Sequence, residues 1–235
     1  VLNNLPAGCD FVAMLDDDEV PAPDWLDQLL LAQAAAGADV VQGQVVPVFA
    51  PGTPTWVSTG SFFGRPRRIY SLDLPRVANL QERTCAGTNN VFVRTRAIDD
   101  INLRFDPAMA LSGGEDTLFF RMLADREHKI VHAATAIVYE SIPRERANFR
   151  YMLMERFRIG NANVFVERRR KTDSAPVSVV LAAGLNQCRM GLRRVLKTMF
   201  GSRQEKARFT VGAFQFVYGL GMLAAALGYR HQHYK

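Results

Sequence analysis

The chain has 235 residues, 48% of them hydrophobic, with 29 Lys or Arg against 23 Asp or Glu and a formal charge of +6. That length and apolar content suffice for one domain with a real core plus an appendage. Cys9, Cys85 and Cys188, odd in number and widely spaced, form neither a disulfide framework nor a zinc pattern, and a reducing, cytoplasmic setting follows.

In chain order, Val1–Leu5 shows no charged n-region and no long apolar segment, so no signal peptide is read there. The missing initiator Met makes a fragment the expected reading. The first element is a strand over 10–15, Phe-Val-Ala-Met-Leu in its apolar part, followed at once by Asp16-Asp17-Asp18-Glu19. Pro21 and Pro23 open a helix near 23–36 that stops at Gly37. A strand follows at 39–48. Residues 50–86, rich in Pro, Gly, Ser and Arg, read as a long irregular excursion. A strand over 90–93, a short helix near Ala97, a helix from Gly113 to about Asp125 and a strand from Ile130 to Tyr139 complete the body. No internal repeat or low-complexity segment interrupts it. The alternation gives an α/β fold with a mixed sheet.

The charge is uneven. Glu140 to Arg208 holds sixteen Lys or Arg and six Asp or Glu, a balance of +10 that leaves −4 for the remainder. A basic tail behind an acidic-to-neutral body points to an anionic partner surface, membrane or nucleic acid.

Three segments carry chemistry. Carboxylates delivered by a buried strand to a sheet edge suit a hard divalent ion holding a polyphosphate, or simply a solvated acidic turn; the cluster alone leaves both open. Gly113-Gly114-Glu115-Asp116 places a carboxylate in a first helical turn, ready as a general base towards a hydroxyl or acting only as a cap. Pro143-Arg144-Glu145-Arg146 and then Glu155-Arg156-Phe157-Arg158 supply guanidinium groups suited to phosphate. Arg156 and Arg158 flank one residue, so a regular helix cannot put both on one face. A shared ligand would require the helix to start, end or distort there.

The order and spacing of FVAMLDDDEVPAPDWL from Phe11, CAGTNNVFVR from Cys85, GGEDTLFF from Gly113 and the stretch Val138–Asn161 resemble the family 2 glycosyltransferases of the GT-A fold, and within them the succinoglycan-type exopolysaccharide enzymes. The resemblance covers about residues 8–165. It implies a partial GT-A, Rossmann-like transferase domain over 1–170 and a membrane-associating helical tail over 171–235. It also implies that the chain lacks the βα units that usually precede the acidic strand, and with them part of the nucleotide pocket.

Carried onto this sequence, the resemblance implies that Asp18 binds Mg2+ or Mn2+ and that Asp16 and Asp17 lie at the nucleotide. Gly87, Thr88 and Asn89 would stand near the donor sugar. Asp116 would be the base and Glu115 its orienting neighbour, with Arg156 and Arg158 on the donor side. Glu155 and Ile159 replace the Gln and Trp of many relatives. The implied partners are a nucleotide-sugar donor, a saccharide or lipid-linked acceptor and an anionic membrane surface, with no nucleic acid. The implied reaction inverts the anomeric centre, and the implied place is the cytoplasmic face of the cell membrane.

In the tail, Arg189, Arg193 and Lys197 form one basic stripe on a helix over Pro176–Phe200, opposite Leu185, Leu192, Val195, Leu196 and Met199. Phe209 to Gly228 carries no formal charge and is long enough to span a bilayer, although its glycines and Gln215 equally suit a shallow insertion or a core helix. Two other readings exist. Asp16-Asp17-Asp18-Glu19-Val20 is similar to the start of haloacid-dehalogenase phosphatases, but no Lys stands between it and Asp116, the first being Lys129. A basic nucleic-acid binder accounts for 144–170 and leaves both acidic motifs without a role.

Overall fold

The computed structural model describes residues 5–6, 8–60, 62–63, 80–109, 112–170, 175–199 and 206–232. Most of the expected excursion, 64–79, lies outside the described residues.

Among the described residues, six strands form one mixed sheet: β1 (Phe11–Met14), β2 (Glu19–Pro21), β3 (Val40–Phe49), β4 (Gln81–Arg83), β5 (Val91–Arg94) and β6 (Ile130–Ile142). The order is β1-β5-β3-β6-β2, with β4 on the same strand as β2. Among these described strands β3 and β6 pair in parallel, and the other pairings are antiparallel. Strand β6 runs three residues beyond the expected Tyr139, and its two ends bind β4 and β2 separately. The short strands β2 and β4 were not legible in the sequence. Both are edge segments too short to show an alternating pattern.

Side chains two apart share a face, and the core follows that period. Val40, Val91, Val93 and Ile130 face Phe119, Phe120 and Leu123 of helix α4 (Glu115–Asp125). Val41, Phe92 and Val131 face the other way onto Leu29 and Ala32 of α1 (Trp25–Ala36). Burial on both faces explains why these strands read as continuous apolar runs. Helix α1 ends as expected at Gly37, whose φ of 59° is left-handed and whose N–H bonds the carbonyl of Gln33. The short helices α2 (Thr55–Ser58) and α3 (Thr95–Asp99) also belong to the body.

Three long helices follow: α5 (Phe149–Arg170), α6 (Val177–Met199) and α7 (Lys206–Ala226). Asn148 caps α5 by accepting the N–H of Tyr151 at 2.9 Å. Helix α7 lies against both α5 and α6. The Cβ position of Gly160 on α5 points at the Tyr218 carbonyl, and that of Gly221 on α7 at the Phe157 carbonyl, so the two backbones touch. The Asn161 amide donates to the carbonyls of Gly221 (3.2 Å) and Tyr229 (2.9 Å), while its oxygen accepts the His231 N–H. The two parts expected on either side of residue 170 meet at this seam between α5 and α7. Packing joins α7 to the last helix of the preceding part.

His132 on β6 is 2% exposed, and burial with the nearby Arg83 charge pushes its pKa down to about 4. A folded pKa below the unfolded value means that stability is complete above about pH 6.5 and declines as pH falls through 4. His132→Leu is expected to remove roughly 3 kcal/mol of that acid-side loss. Urea midpoints for both proteins at a neutral and a mildly acidic pH check this. Parallel pH curves would show that another group governs acid unfolding.

Candidate active site

The sheet brings the acidic turn, the loop before β5 and the start of α4 to one edge. Strand β1 ends at Met14 and the chain turns through Asp16–Asp18 into β2, whose Glu19 pairs with Glu140 of β6. Glu19 is 7% exposed and ties the turn to the neighbouring loop. Its carboxylate accepts the Asp16 N–H at 3.4 Å and the Asn89 side-chain amide at 3.3 Å. Burial pushes its pKa up to about 7 against the influence of those donors.

The loop Gly87–Asn90 is held from below by Gln42 of β3. Its Oε1 accepts the Gly87 N–H at 2.6 Å, and its Nε2 donates to the carbonyls of Asn89 (2.7 Å) and Asn90 (3.0 Å). The signal for Gln42 was in the sequence: a polar side chain inside Val40-Val41-Gln42-Gly43 has to find partners. Thr88 is half-buried in the same loop. Asn90 is fully buried with a φ of 58°. It fills a bulge where β3 and β6 lose register after Gly43.

Asp116 closes the arrangement. A Cβ added to Gly87 would lie 3.5 Å from its Oδ2, and its Oδ1 accepts the Thr117 N–H at 2.6 Å and hydroxyl at 3.2 Å. Gly113 and Gly114 precede it with φ of 72° and 94°. Side chains there would also meet Arg158 and Val166, so the turn requires glycine twice. Glu115 also lines a cleft of about 440 Å³, with Phe105, Leu118 and Arg169. Burial raises its pKa, and Asp116 adds to that, while Arg158 opposes it.

The arginines divide. Helix α5 is continuous through 156–158, with no break that would turn both onto one ligand. Arg158 bonds Glu155 (2.8 Å from its Nε) and lies beside Gly113. Arg156 is 8% exposed, its guanidinium 5.1 Å from the ring centre of Phe214 on α7. Two residues of helix rotate a side chain by about 200°, which sets Arg156 against the aromatic layer at Phe214 and Arg158 beside Gly113. The arginine at the acidic turn is Arg146, which bridges Asp18 (3.3 Å) and Glu140 (3.0 Å). It stood in the run 143–146, but nothing in its spacing singled it out.

Asp16 feels the accumulated charge. Its pKa is raised by burial first, then by Asp18, Asp116 and Asp17, with Arg146 the opposing charge. Such negative potential, offered by hard oxygen donors, fits a divalent cation. Among the described residues no group of three or more His, Cys, Asp and Glu forms a cage.

The profile described as "Glycosyl transferase family group 2" matches residues 11–229. The chain belongs to this family. It is 34% identical over 154 residues to the succinoglycan biosynthesis protein ExoM of Rhizobium meliloti (strain 1021), covering 66% of this chain. The chain spans 47% of that curated relative's length. Among solved structures, S. aureus TarS 1–349 in complex with UDP aligns over 90% of this chain and 66% of its own, at 14% identity and a TM-score of 0.40. The complex of TarS 1–349 with UDP-GlcNAc aligns over 97% and 70%, at 16% identity and 0.41. As a family 2 glycosyltransferase chain, this one holds its acidic turn, its Gly-Thr-Asn-Asn loop and its Gly-Gly-Glu-Asp turn at one sheet edge.

Proposed function

We propose that this chain carries the transfer site of an inverting glycosyltransferase, moving a sugar from a nucleoside diphosphate to a hydroxyl of a saccharide acceptor, lipid-linked, in exopolysaccharide synthesis. The observation that carries the reading is Asp116, whose free carboxylate oxygen faces Gly87 beside the Asp16–Asp18 turn. One segment supplies a base, another a tight backbone approach and a third an anion-rich turn for a cation. The similarity to ExoM supports the polysaccharide context.

In the reaction the acceptor oxygen attacks the anomeric carbon from the face opposite the diphosphate. Asp116 takes the hydroxyl proton, and the bond from the anomeric carbon to the diphosphate oxygen breaks. Thr117 fixes one Asp116 oxygen and so aims the other. Asp18 holds Mg2+ or Mn2+ when it is bound, with Asp16 and Asp17 beside it, and that ion supplies charge stabilisation for the departing diphosphate. Arg146 adds a positive charge at the same turn. Glu19 and Gln42 hold the turn and the donor-side loop in register.

The test is thermal shift of the purified chain against a nucleotide-sugar panel, with and without Mn2+. One nucleotide sugar is expected to raise Tm by several degrees only with Mn2+, by mass action on the folded state. Asp18→Asn is expected to lose most of that metal-dependent shift while its ligand-free Tm stays within about 2 °C. Stabilisation that ignores the metal, or that survives Asp18→Asn, removes the cation from this reading. Stabilisation by phosphate analogues and metal without a sugar favours a phosphatase instead.

A further inference from the structure

After α7 the chain reaches back to the segment that leads into Asp116. It turns at Gly228, whose φ of 93° is left-handed, and the Tyr229 N–H bonds the Ala224 carbonyl at 2.9 Å. The reversal lays residues 229–231 against α5. The Asn161 amide donates to the Tyr229 carbonyl and its oxygen accepts the His231 N–H, both at 2.9 Å. The His231 ring stands edge-on to Phe157, with centroids 5.9 Å apart. These bonds fix the backbone on either side of Arg230.

Arg230 crosses to the residues before α4. Its Nη2 donates to the Ala108 carbonyl and to the Ser112 hydroxyl oxygen (2.9 Å), and lies 3.3 Å from Met109 Sδ. The guanidinium also stands 5.2 Å from the ring centre of Phe165 on α5. Met109 and Ser112 are both buried, and the N–H groups of Ser112 and Gly113 bond the Met109 carbonyl at 3.1 and 3.0 Å. A Cβ added to Gly114 would lie 3.5 Å from Met109 Cε. Arg230 therefore grips the two residues that set the entry into Gly113-Gly114-Glu115-Asp116. Two glycines in succession leave that entry few side-chain contacts of its own. Thr117 holds the Asp116 carboxylate from one side. The fixed point on the other side comes from 118 positions away.

We propose that Arg230 is a positioning residue for sugar transfer: by clamping Met109 and Ser112 it sets where Asp116 meets the acceptor hydroxyl. The inference rests on Asp116 being the base of the proposed reaction, and Arg230 acts through the glycine turn. An arginine suits the task because its planar fork can serve a carbonyl and a hydroxyl while lying by an aromatic ring, which a lysine cannot reproduce. A mere fastener of residues 229–231 would act on melting. A clamp on the turn acts on kcat at unchanged donor binding.

The experiment compares the 235-residue chain with Arg230→Ala, Arg230→Lys, Ser112→Ala and the double variant Arg230→Ala/Ser112→Ala. Hydrogen exchange without ligand is expected to run about tenfold faster at the 112–118 amides in Arg230→Ala. Its kcat is expected to fall about a hundredfold, the order set by a small misplacement of a catalytic group. Donor KM is expected to stay within about twofold and Tm within about 2 °C. Arg230→Lys is expected to regain no more than about fivefold. Ser112→Ala removes a single acceptor and serves if Arg230→Ala melts early; it is expected to slow transfer about tenfold at the wild-type Tm. The double variant is expected to be no slower than Arg230→Ala, because both changes break one contact. Unchanged exchange, a kcat loss that only follows Tm or donor KM, full recovery by Arg230→Lys, or an additive double variant each overturn the proposal. A wild-type chain inactive in transfer would count against the transfer reading, while faster exchange in Arg230→Ala would still support the clamp.

Discussion

Asp116→Asn is expected to lower kcat for sugar transfer by about a thousandfold, the order set by losing a positioned general base. The substitution keeps size and most hydrogen bonds but removes the capacity to take a proton. The geometry makes the prediction specific. One Asp116 oxygen is tied to the Thr117 N–H and hydroxyl, and the other is held towards Gly87. Glu115, the neighbouring carboxylate, which also lines the cleft with Phe105 and Arg169, is the internal control. Glu115→Gln is expected to cost no more than about tenfold. Single-turnover transfer with a saturating donor reads the chemical step, and the thermal shift with donor and Mn2+ confirms that binding survives. A loss smaller than about tenfold for Asp116→Asn would place the base elsewhere.

Asn90→Ala is expected to destabilise the fold by about 3–5 kcal/mol, a magnitude reserved for breaking a buried polar network. Asn90 is fully buried, and its amide donates to the carbonyls of Gln44 (3.0 Å) and Ala136 (2.9 Å). Its oxygen accepts the indole N–H of Trp25 at 2.7 Å. Truncation therefore removes three hydrogen bonds at the bulge between β3 and β6, and it puts a Cβ-only residue at a φ of 58°. Asn90→Gly relieves the backbone and still loses the bonds, so it is expected to recover only about 1 kcal/mol. Urea unfolding of the three proteins decides the matter. A change below about 1 kcal/mol for Asn90→Ala would mean that water replaces the amide.

These two neighbours in the loop before β5 show where legibility stopped. Asn89 was read as a donor-side residue from its motif, whereas Asn90 was read only as the first residue of a strand. Its left-handed backbone and its role as a plug depend on the slip between β3 and β6, and on Trp25 lying 65 positions away. No local pattern encodes such a bond.

The arginines tell the same story. The helical period already forbade Arg156 and Arg158 from sharing a face on a regular helix. It did not say which would turn inward, because that depends on Phe214 of α7 standing opposite. The tail was legible as two helices, one basic and amphipathic and one neutral. Its relation to the body was not, since Gly160 and Gly221 carry no periodic signal until two backbones meet over them.

By itself the sequence determined the α/β alternation, apolar strands read at 10–15, 39–48, 90–93 and 130–139, and the three motifs of a family 2 glycosyltransferase. Those features follow from local period, turn chemistry and residue type, which act over a few positions. Only the tertiary structure decided that Glu19, Gln42 and Arg146 buttress the site, that Arg156 packs over Phe214, and that α7 lies between two helices. Each of those outcomes rests on a hydrogen bond or a packing contact between segments far apart in the chain. Such contacts become available only once the sheet has brought the segments together.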